Sequence, residues 1–240
     1  FYTLLYVYGL LRERSGRKRS VKNIFSMIAV ASVMTSLSFG DIYTDPAGDI
    51  ATGNANLDIT QVEITDNGLE LFVSMTVADL DGDWGKYLFF SNYTAGGSAD
   101  NDNPWFRNVS GLSGTDYFMG SWIEGGGGAS GFIHDGTGWA GFDSPGLSVD
   151  WSTSTITWNL TGMMLDAIAS GATGFDFEMA TTGGNSGDPA IDLLGGEGTQ
   201  PGWGGGSTST DWMHYEFSTI PAPGVLALFA IAGITRRRRH

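Results

Sequence analysis

The sequence predicts an all-β fold, an antiparallel β-sandwich of the jelly-roll type with one short helix. Short apolar runs recur along the chain, and turns rich in glycine, which contributes 37 of the 240 residues, separate them. Many short strands without alternating helices favour a sandwich. An aromatic content of 12% is too high for a disordered chain. We therefore expect one globular, loop-rich domain over residues 41–219.

The clearest element is a hairpin between residues 57 and 77. From Leu69 to Val77, apolar residues alternate with mostly polar ones, as in a strand with one buried face. Residues 57–64 form the preceding strand, and Asn67-Gly68 supplies the positive φ angles that a tight turn needs. Further strands are predicted at residues 86–90, 117–123, 131–134, 138–142, 155–160, 174–180 and 212–218. The only helix predicted within the domain covers residues 162–169, with Thr161 as its cap.

Positive charge is concentrated at the two ends of the chain. Between residues 41 and 235 there are 25 acidic side chains and two basic ones, Lys86 and Arg107, a formal net charge of −23. A nucleic-acid partner is not expected, because binding phosphate requires a basic face. The acid excess fits either cation binding or solubility in a salty or polyanionic medium. Because the chain has no cysteine, it uses neither disulfides nor thiolate metal sites.

Residues 21–40 have the three-part layout of a secretory signal peptide. A basic stretch ending at Lys22 precedes an apolar run in residues 24–37, and the small residues Ser38 and Gly40 follow. We predict a signal helix that the Sec translocon recognises and that signal peptidase removes after Gly40. The alternative is a buried core helix. Residues 1–20 fit such a signal poorly and are interpreted as an upstream extension from a misplaced gene start.

The last 21 residues, IPAPGVLALFAIAGITRRRRH, combine prolines, a short apolar segment and four arginines. Pro221 and Pro223 break regular structure and mark the end of the folded domain. An apolar helix is predicted in residues 225–234, and the arginines hold its far end on the cytoplasmic side of a membrane. The apolar stretch is about 15 residues, against a usual span of about 20, which indicates a transient tether.

This tail resembles the PEP-CTERM sorting signal of exopolysaccharide-producing Gram-negative bacteria. The resemblance is carried by Pro221, Ala222, Pro223, Arg236, Arg237, Arg238 and Arg239. Ala222 stands where the signal usually has Glu. The resemblance implies that exosortase, a membrane transpeptidase-like enzyme, cuts near the motif and releases or re-anchors the protein at the cell surface, after a transient inner-membrane tether. An ordinary tail anchor or a buried C-terminal helix is the alternative.

The start of the predicted domain carries a second resemblance. The segment DPAGDIATGNANLDITQVEITDNGLELFVSM is similar to the opening of DOMON-like and family-nine carbohydrate-binding-module-like domains. The resemblance implies a sandwich in which early carboxylates often hold a structural calcium and aromatic side chains stack on sugars or a cofactor. The matching positions are Asp45, Gly48, Asp49 and Asp58.

The candidate metal ligands are Asp45, Asp49 and Asp58. Carboxylates close to a turn provide the hard oxygen ligands that Ca²⁺ gathers in sets of six to eight. The alternative is that Asp before Pro and Gly is favourable turn chemistry. A second acidic group consists of Asp79, Asp81 and Asp83. Trp84 stands where an EF-hand loop needs Gly, so we expect solvated loop acids there.

Tryptophan is unusually frequent in the predicted domain. The eight tryptophans are Trp84, Trp105, Trp122, Trp139, Trp151, Trp158, Trp203 and Trp212. The candidate ligand-binding residues, which lie beside glycine or polar turns, are Trp105, Trp139 and Trp203. An exposed indole face can stack on the apolar face of a sugar ring. The alternative is that sandwich cores commonly use Trp, and Trp158, in an alternating strand, is expected in the core.

The predicted domain lacks motifs for catalysis. His134 and His214 are its only histidines and are not spaced as a metal-binding pair, and there is neither a G-x-S-x-G elbow nor a Cys nucleophile. Residues 126–131 match G-x-G-x-x-G, but no βαβ pattern surrounds them, which indicates a flexible turn. We therefore expect a protein that is not an enzyme.

Together these observations predict a secreted, acidic β-sandwich that acts as a non-catalytic cell-surface or extracellular-matrix protein and binds extracellular polysaccharide through exposed tryptophans, with structural calcium. The alternative is a purely structural acidic matrix component without a sugar site. A glycan binder should present a concave face with two or more clustered aromatics, whereas the structural component should bury nearly all eight tryptophans. A glycoside hydrolase, the third alternative, should present two carboxylates across a cleft.

Overall fold

The computed structural model describes residues 39–218. The predicted upstream extension, the signal helix up to residue 38, and the sorting segment with its proline and arginine motif lie outside the described residues. Within residues 39–218, no helix has the length and apolar character needed to cross a membrane. The first strand, β1 (Phe39–Thr44), contains the predicted signal cleavage point after Gly40, so cleavage there would leave residues 41–44 of this strand on the mature chain.

Two antiparallel sheets form the body of the protein. The first contains β1, β2 (Ile59–Asp66), β3 (Leu71–Val77), β9 (Gly146–Asp150) and β10 (Thr155–Asn159). Its strand order is β1-β2-β3-β10-β9, so the initial meander pairs with strands from the second half of the domain. A bulge at Ile59 and Gln61 shifts the register between β2 and β3.

The second sheet has seven strands. They are β4 (Lys86–Asn92), β6 (Tyr117–Trp122), β7 (Gly128–His134), β8 (Trp139–Asp143), β11 (Gly174–Thr182), β12 (Ala190–Leu193) and β14 (Met213–Glu216). The order is β12-β11-β4-β6-β7-β8, and β14 also pairs with β11. Two short strands, β5 (Val109–Ser110) and β13 (Ser207–Thr208), pair in parallel beside it.

The two sheets enclose one hydrophobic core. Val73 and Trp158 from the first sheet pack in the same buried cluster as Phe89 and Phe177 from the second. The rings of Phe89 and Phe177 are stacked, with centroids 6.0 Å apart. The chain passes from the first sheet to the second between β3 and β4, and again between β10 and β11. In the first sheet β3 pairs with β10, and in the second sheet β4 pairs with β11. The predicted antiparallel all-β fold is confirmed, and Trp158 lies in the core as expected.

The predicted hairpin joins β2 to β3 through Asn67-Gly68. Gly68 has a φ of 74°, and the Asn67 side-chain oxygen accepts hydrogen bonds from the backbone amides of Leu69 and Glu70. The prediction that Leu69 begins the buried face was wrong, because its side chain is 69% exposed. The Asn67 contacts hold residues 69 and 70 in the turn, and β3 starts only at Leu71.

The predicted helix is present as α1 (Thr161–Ala169) and buries Met163, Met164 and Ala167. The expectation that Thr161 caps it was wrong. Leu160 occupies the cap position without a side-chain hydrogen bond, and the Thr161 hydroxyl instead accepts a 3.0 Å hydrogen bond from the amide of Leu71. Thr161 therefore joins the helix to the start of β3.

Several strands were not predicted, namely β1, β5, β9, β12 and β13. Strand β12 is buried at all four positions, so it shows no alternation of exposed and buried residues. Strand β1 begins inside the segment interpreted as a signal peptide. Periodicity over so few residues does not distinguish a strand from a loop.

Candidate functional site

The structure brings three carboxylates together where the β1–β2 connection meets β12. Asp45, Asp49 and Asp192 each place one carboxylate oxygen within 4.8 Å of the others. Asp45 and Asp49 were predicted as metal ligands, whereas Asp192 was not. Asp192 is fully buried, and its Oδ2 accepts a 2.6 Å hydrogen bond from the amide of Ile59. Backbone contacts of β2 thus fix one of the three carboxylates.

The third predicted ligand, Asp58, borders this group. Its side chain is only 6% exposed, and its Oδ2 accepts a 2.8 Å hydrogen bond from the amide of Gly48, between Asp45 and Asp49 in the chain. Asp58 is close enough that its charge raises the pKa values of Asp45, Asp49 and Asp192. We refer to Asp45, Asp49, Asp58 and Asp192 as the acidic cluster.

The acidic cluster holds its charges in an unfavourable environment. Burial, and next the neighbouring charge of Asp192, raises the pKa of Asp45 to about 8. Burial likewise raises the pKa of Asp192 to about 7, against the opposing effect of its hydrogen bond from Ile59. The two basic side chains among residues 39–218 are engaged elsewhere: Lys86 pairs with Glu124 at 2.7 Å, and Arg107 bonds the carbonyl of Asn185.

Three oxygens of the cluster are buried without any hydrogen-bond partner. They are Asp45 Oδ2, Asp49 Oδ1 and Asp58 Oδ1. Leaving a buried acceptor unpaired costs about 1–3 kcal/mol, and more for a charged group. A hard divalent cation would satisfy such oxygens, and Ca²⁺ accepts several carboxylates together with backbone carbonyls and water in a flexible geometry. The residues present therefore fit a Ca²⁺ ion.

A further buried acid, Glu178 on β11, has a different environment. Both of its oxygens are engaged: Oε1 accepts from the amides of Met179 and Gly195, and Oε2 accepts a 2.5 Å hydrogen bond from the hydroxyl of Ser209. Burial raises its pKa to about 7. Glu178 therefore fastens the segment after β12 to the sheet and has no oxygen to offer a cation.

The other predicted acidic group is not assembled into a site. Asp79, Asp81 and Asp83 are all exposed in the loop between β3 and β4. Within residues 39–218, the carboxylate group with metal-binding spacing is the one formed by Asp45, Asp49 and Asp192. The histidines are also separate, since His134 packs on Trp139 and His214 bonds Asp176 at 2.6 Å.

The eight tryptophans differ in exposure. Only Trp158 is fully buried, and Trp105, Trp122, Trp139 and Trp212 are half-buried. The exposed ones are Trp84, Trp151 and Trp203. Trp84 and Trp203 lie side by side, with ring centroids 5.9 Å apart and planes tilted by 40°. We call these two residues the exposed Trp pair; Trp203 was predicted as a ligand-binding residue and Trp84 was not.

The local chain explains the position of the exposed Trp pair. Trp203 lies in a short 3-10 turn, Gly202–Gly204, and its ring packs against the backbone of Gly183, where a side chain would overlap it. Trp84 follows the acidic loop after β3, and its indole lies against Gly82. A carboxylate oxygen of Asp188 lies beside the same Gly183 position.

The other two predicted ligand residues belong to a packed aromatic row on the outer face of the second sheet. Trp105 lies flat against Gly120, with its ring 5.9 Å from Phe118 and 6.3 Å from Trp122. Trp139 also packs on Phe118, with ring centroids 6.3 Å apart. Trp105 and Trp139 are thus in one row, and Trp203 is in a separate pair.

Sequence reasoning missed Asp192 and Trp84. An acid within the apolar run AIDLL was the available signal for Asp192, because a charged residue in a buried strand needs a partner. Trp84 was considered only as a departure from an EF-hand pattern. Nothing in the neighbouring sequence indicates that Trp203 lies beside it in the fold.

Comparison with known proteins does not assign a family. No family model matches the chain, and no curated protein is similar to it. What defines the protein is its fold and its sites: an antiparallel β-sandwich with a partly buried acidic cluster and an exposed Trp pair.

Proposed function

We propose that this chain is a secreted, non-catalytic cell-surface or extracellular-matrix protein that binds polysaccharide through the exposed Trp pair and holds structural Ca²⁺ in the acidic cluster. The signal-like residues 21–40 support export through the Sec translocon. The proline, apolar and arginine pattern of the tail supports sorting by exosortase after a transient inner-membrane tether. The paired crossings between the sheets support a jelly roll as the form of the sandwich.

The observation that carries the proposal is the exposed Trp pair. Trp84 is 38% exposed and Trp203 is 46% exposed, although burying an indole is strongly favourable. Two indole faces at this spacing offer apolar surface to a pyranose ring without requiring charge. Asp188, beside the pair, supplies a carboxylate that can accept hydrogen bonds from sugar hydroxyls.

Tryptophan burial also bears on the choice between glycan binding and a purely structural role. A structural component was expected to bury nearly all eight tryptophans, whereas Trp84, Trp151 and Trp203 are exposed. This distribution favours the glycan-binding proposal. The alternative, an acidic matrix component that bridges cations without a sugar site, is supported by the net charge of −23 between residues 41 and 235.

The test is a binding assay with the full-length chain in mild detergent against cellulose, chitin, xylan and bacterial exopolysaccharide. Trp84→Ala and Trp203→Ala should each weaken binding about tenfold or more, equivalent to about 1.4 kcal/mol. The matched control is Trp151→Ala, because Trp151 is 53% exposed and does not stack on another ring in residues 39–218. It should bind like the unmodified protein.

Three outcomes would contradict the proposal in different ways. Loss of binding on Trp105→Ala or Trp139→Ala, with Trp84→Ala unaffected, would move the site to the aromatic row. Absence of binding to every polysaccharide would favour the structural alternative. Release of reducing sugar from a bound polysaccharide would support the glycoside hydrolase instead.

A further inference from the structure

One short segment connects the acidic cluster to both halves of the exposed Trp pair. It runs from Asp49 to Asp58, so each end of the segment carries a carboxylate of the cluster. Asp49 Oδ1 and Asp58 Oδ1 are both buried and without hydrogen-bond partners, and Asp58 as a whole is more than nine-tenths buried. The position of each end therefore depends on what occupies the cluster.

The first half of the segment holds the loop that carries Trp203. The amide of Gln200 donates a 3.0 Å hydrogen bond to the carbonyl of Asp49, and the amide of Ala51 donates a 3.2 Å hydrogen bond to the carbonyl of Gln200. Gly202 then packs on Thr52, with a φ of 76° that favours glycine. Trp203 is the next residue, so its ring is placed by contacts that begin at Asp49 itself.

The second half of the segment holds the loop that carries Trp84. The carbonyl of Asp58 accepts a 2.8 Å hydrogen bond from the amide of Ala78, and the carbonyl of Ala55 accepts a 3.2 Å hydrogen bond from the amide of Asp79. The Asn56 side-chain amide donates to the carbonyl of Gly82, against which the Trp84 indole lies. Trp84 is thus placed by contacts that begin at Asp58.

Electrostatics couple these two halves. When ionised, the four carboxylates repel one another, and in residues 39–218 no basic side chain forms an ion pair with any of them. Without a cation, repulsion and the unpaired oxygens favour separation of Asp49 from Asp58. A divalent cation held by Asp45, Asp49 and Asp192 offsets this repulsion, so that Asp49 and Asp58 can stay close together.

We propose that a divalent cation in the acidic cluster, Ca²⁺ by its ligand chemistry, sets the spacing of Trp84 and Trp203 through the segment from Asp49 to Asp58. This inference rests on the proposed function for its consequence, which is that sugar binding and cation binding strengthen each other. Such coupling is reciprocal: each ligand raises the affinity for the other by the same factor, which is typically roughly 5–150-fold.

The direct test needs no sugar. Two indoles at this distance produce an exciton couplet in the circular dichroism spectrum. Because Trp105 and Trp122 lie 6.3 Å apart and give a couplet of their own, the signal of the exposed Trp pair is the difference between the unmodified protein and Trp84→Phe or Trp203→Phe. Addition of CaCl₂ to the EDTA-treated full-length chain should strengthen or restore the couplet. Asp192→Asn should abolish the response, while the loop variant Asp81→Asn should respond like the unmodified protein. Asp49→Asn replaces Asp192→Asn if the latter does not fold.

The outcomes separate this inference from the proposed function. Calorimetric binding of Ca²⁺ with an unchanged couplet would overturn the coupling and leave the calcium site standing. Absence of Ca²⁺ binding would overturn both the coupling and the calcium site. A couplet that responds to Ca²⁺ in a protein that binds no polysaccharide would support the coupling while defeating the glycan proposal. Where a polysaccharide does bind, EDTA should weaken binding at least about fivefold.

Discussion

The carboxylate of Asp66, at the end of β2, accepts a 2.6 Å hydrogen bond from the hydroxyl of Tyr215 on β14. The same carboxylate also accepts from the amides of Gly68 at 2.7 Å and Ser218 at 2.9 Å. Asp66 is 1% exposed, so these donors replace water around its charge. One buried side chain therefore ties the first hairpin to the last strand, across the two sheets.

Removing the hydroxyl of Tyr215 should destabilise the fold. In Tyr215→Phe the Asp66 charge loses a short, charge-assisted donor, and we expect a loss of about 1.5–3 kcal/mol in the free energy of unfolding. Urea denaturation provides the measurement. Tyr43→Phe is the control, because Tyr43 donates to a neutral carbonyl, that of His214, and should cost about 0.5–1.5 kcal/mol. Equal losses in the two variants would show that the Asp66 charge is not the reason.

Adding a methyl group at Gly120 should disturb the aromatic row. The Trp105 ring occupies the space where a Cβ atom of residue 120 would lie. We expect Gly120→Ala to destabilise the protein by about 1–3 kcal/mol and to change the tryptophan fluorescence, because the ring must move away. Gly141→Ala is the matched strand control, since open space surrounds that position. A Gly120→Ala protein as stable as Gly141→Ala would contradict the packing of Trp105.

Calcium should stabilise the folded protein. At a Ca²⁺ concentration one hundred times the dissociation constant, a site present only in the folded state adds about 2.7 kcal/mol. Melting temperature with CaCl₂ and with EDTA gives the measurement. Asp192→Asn should lose most of this increment, and Asp81→Asn should retain it because Asp81 is an exposed loop acid. Loss of the increment in Asp81→Asn alone would place the cation in the β3–β4 loop instead.

Glu178 should make stability depend on pH. Burial raises its pKa from 4.5 to about 7, so between these values the folded protein binds a proton that the unfolded chain has released. Its contribution to stability is therefore full below pH 4.5 and is lost as the pH rises through 7, a change of about 3 kcal/mol.

Comparison with Glu178→Gln isolates this effect from other buried acids. The variant keeps an oxygen for the amide of Gly195 and should be more stable than the unmodified protein at pH 8, with the difference shrinking towards pH 4.5. Urea denaturation across this range gives the result. A difference that does not vary with pH would mean that Glu178 stays charged in the folded state.

Local features of the chain were readable from sequence. Alternating apolar residues and Asn67-Gly68 predicted the hairpin, because side-chain period and turn geometry are properties of neighbouring residues. Asp45 and Asp49 lie in one short segment of turn-forming residues, so their proximity could be expected without knowing the fold. Where a local cue had two explanations, as with Leu69 and Thr161, the sequence did not decide between them.

Tertiary structure decided the composition of both sites. Asp192 joins Asp45 because β12 meets the β1–β2 connection, and Trp84 joins Trp203 because two distant loops contact one segment. The polar turn around Trp105 indicated an exposed side chain, whereas Gly120, distant in the sequence, makes room for the ring to pack against the sheet. Such pairings depend on strand register and on burial, which arise only when the whole chain excludes water from a common core.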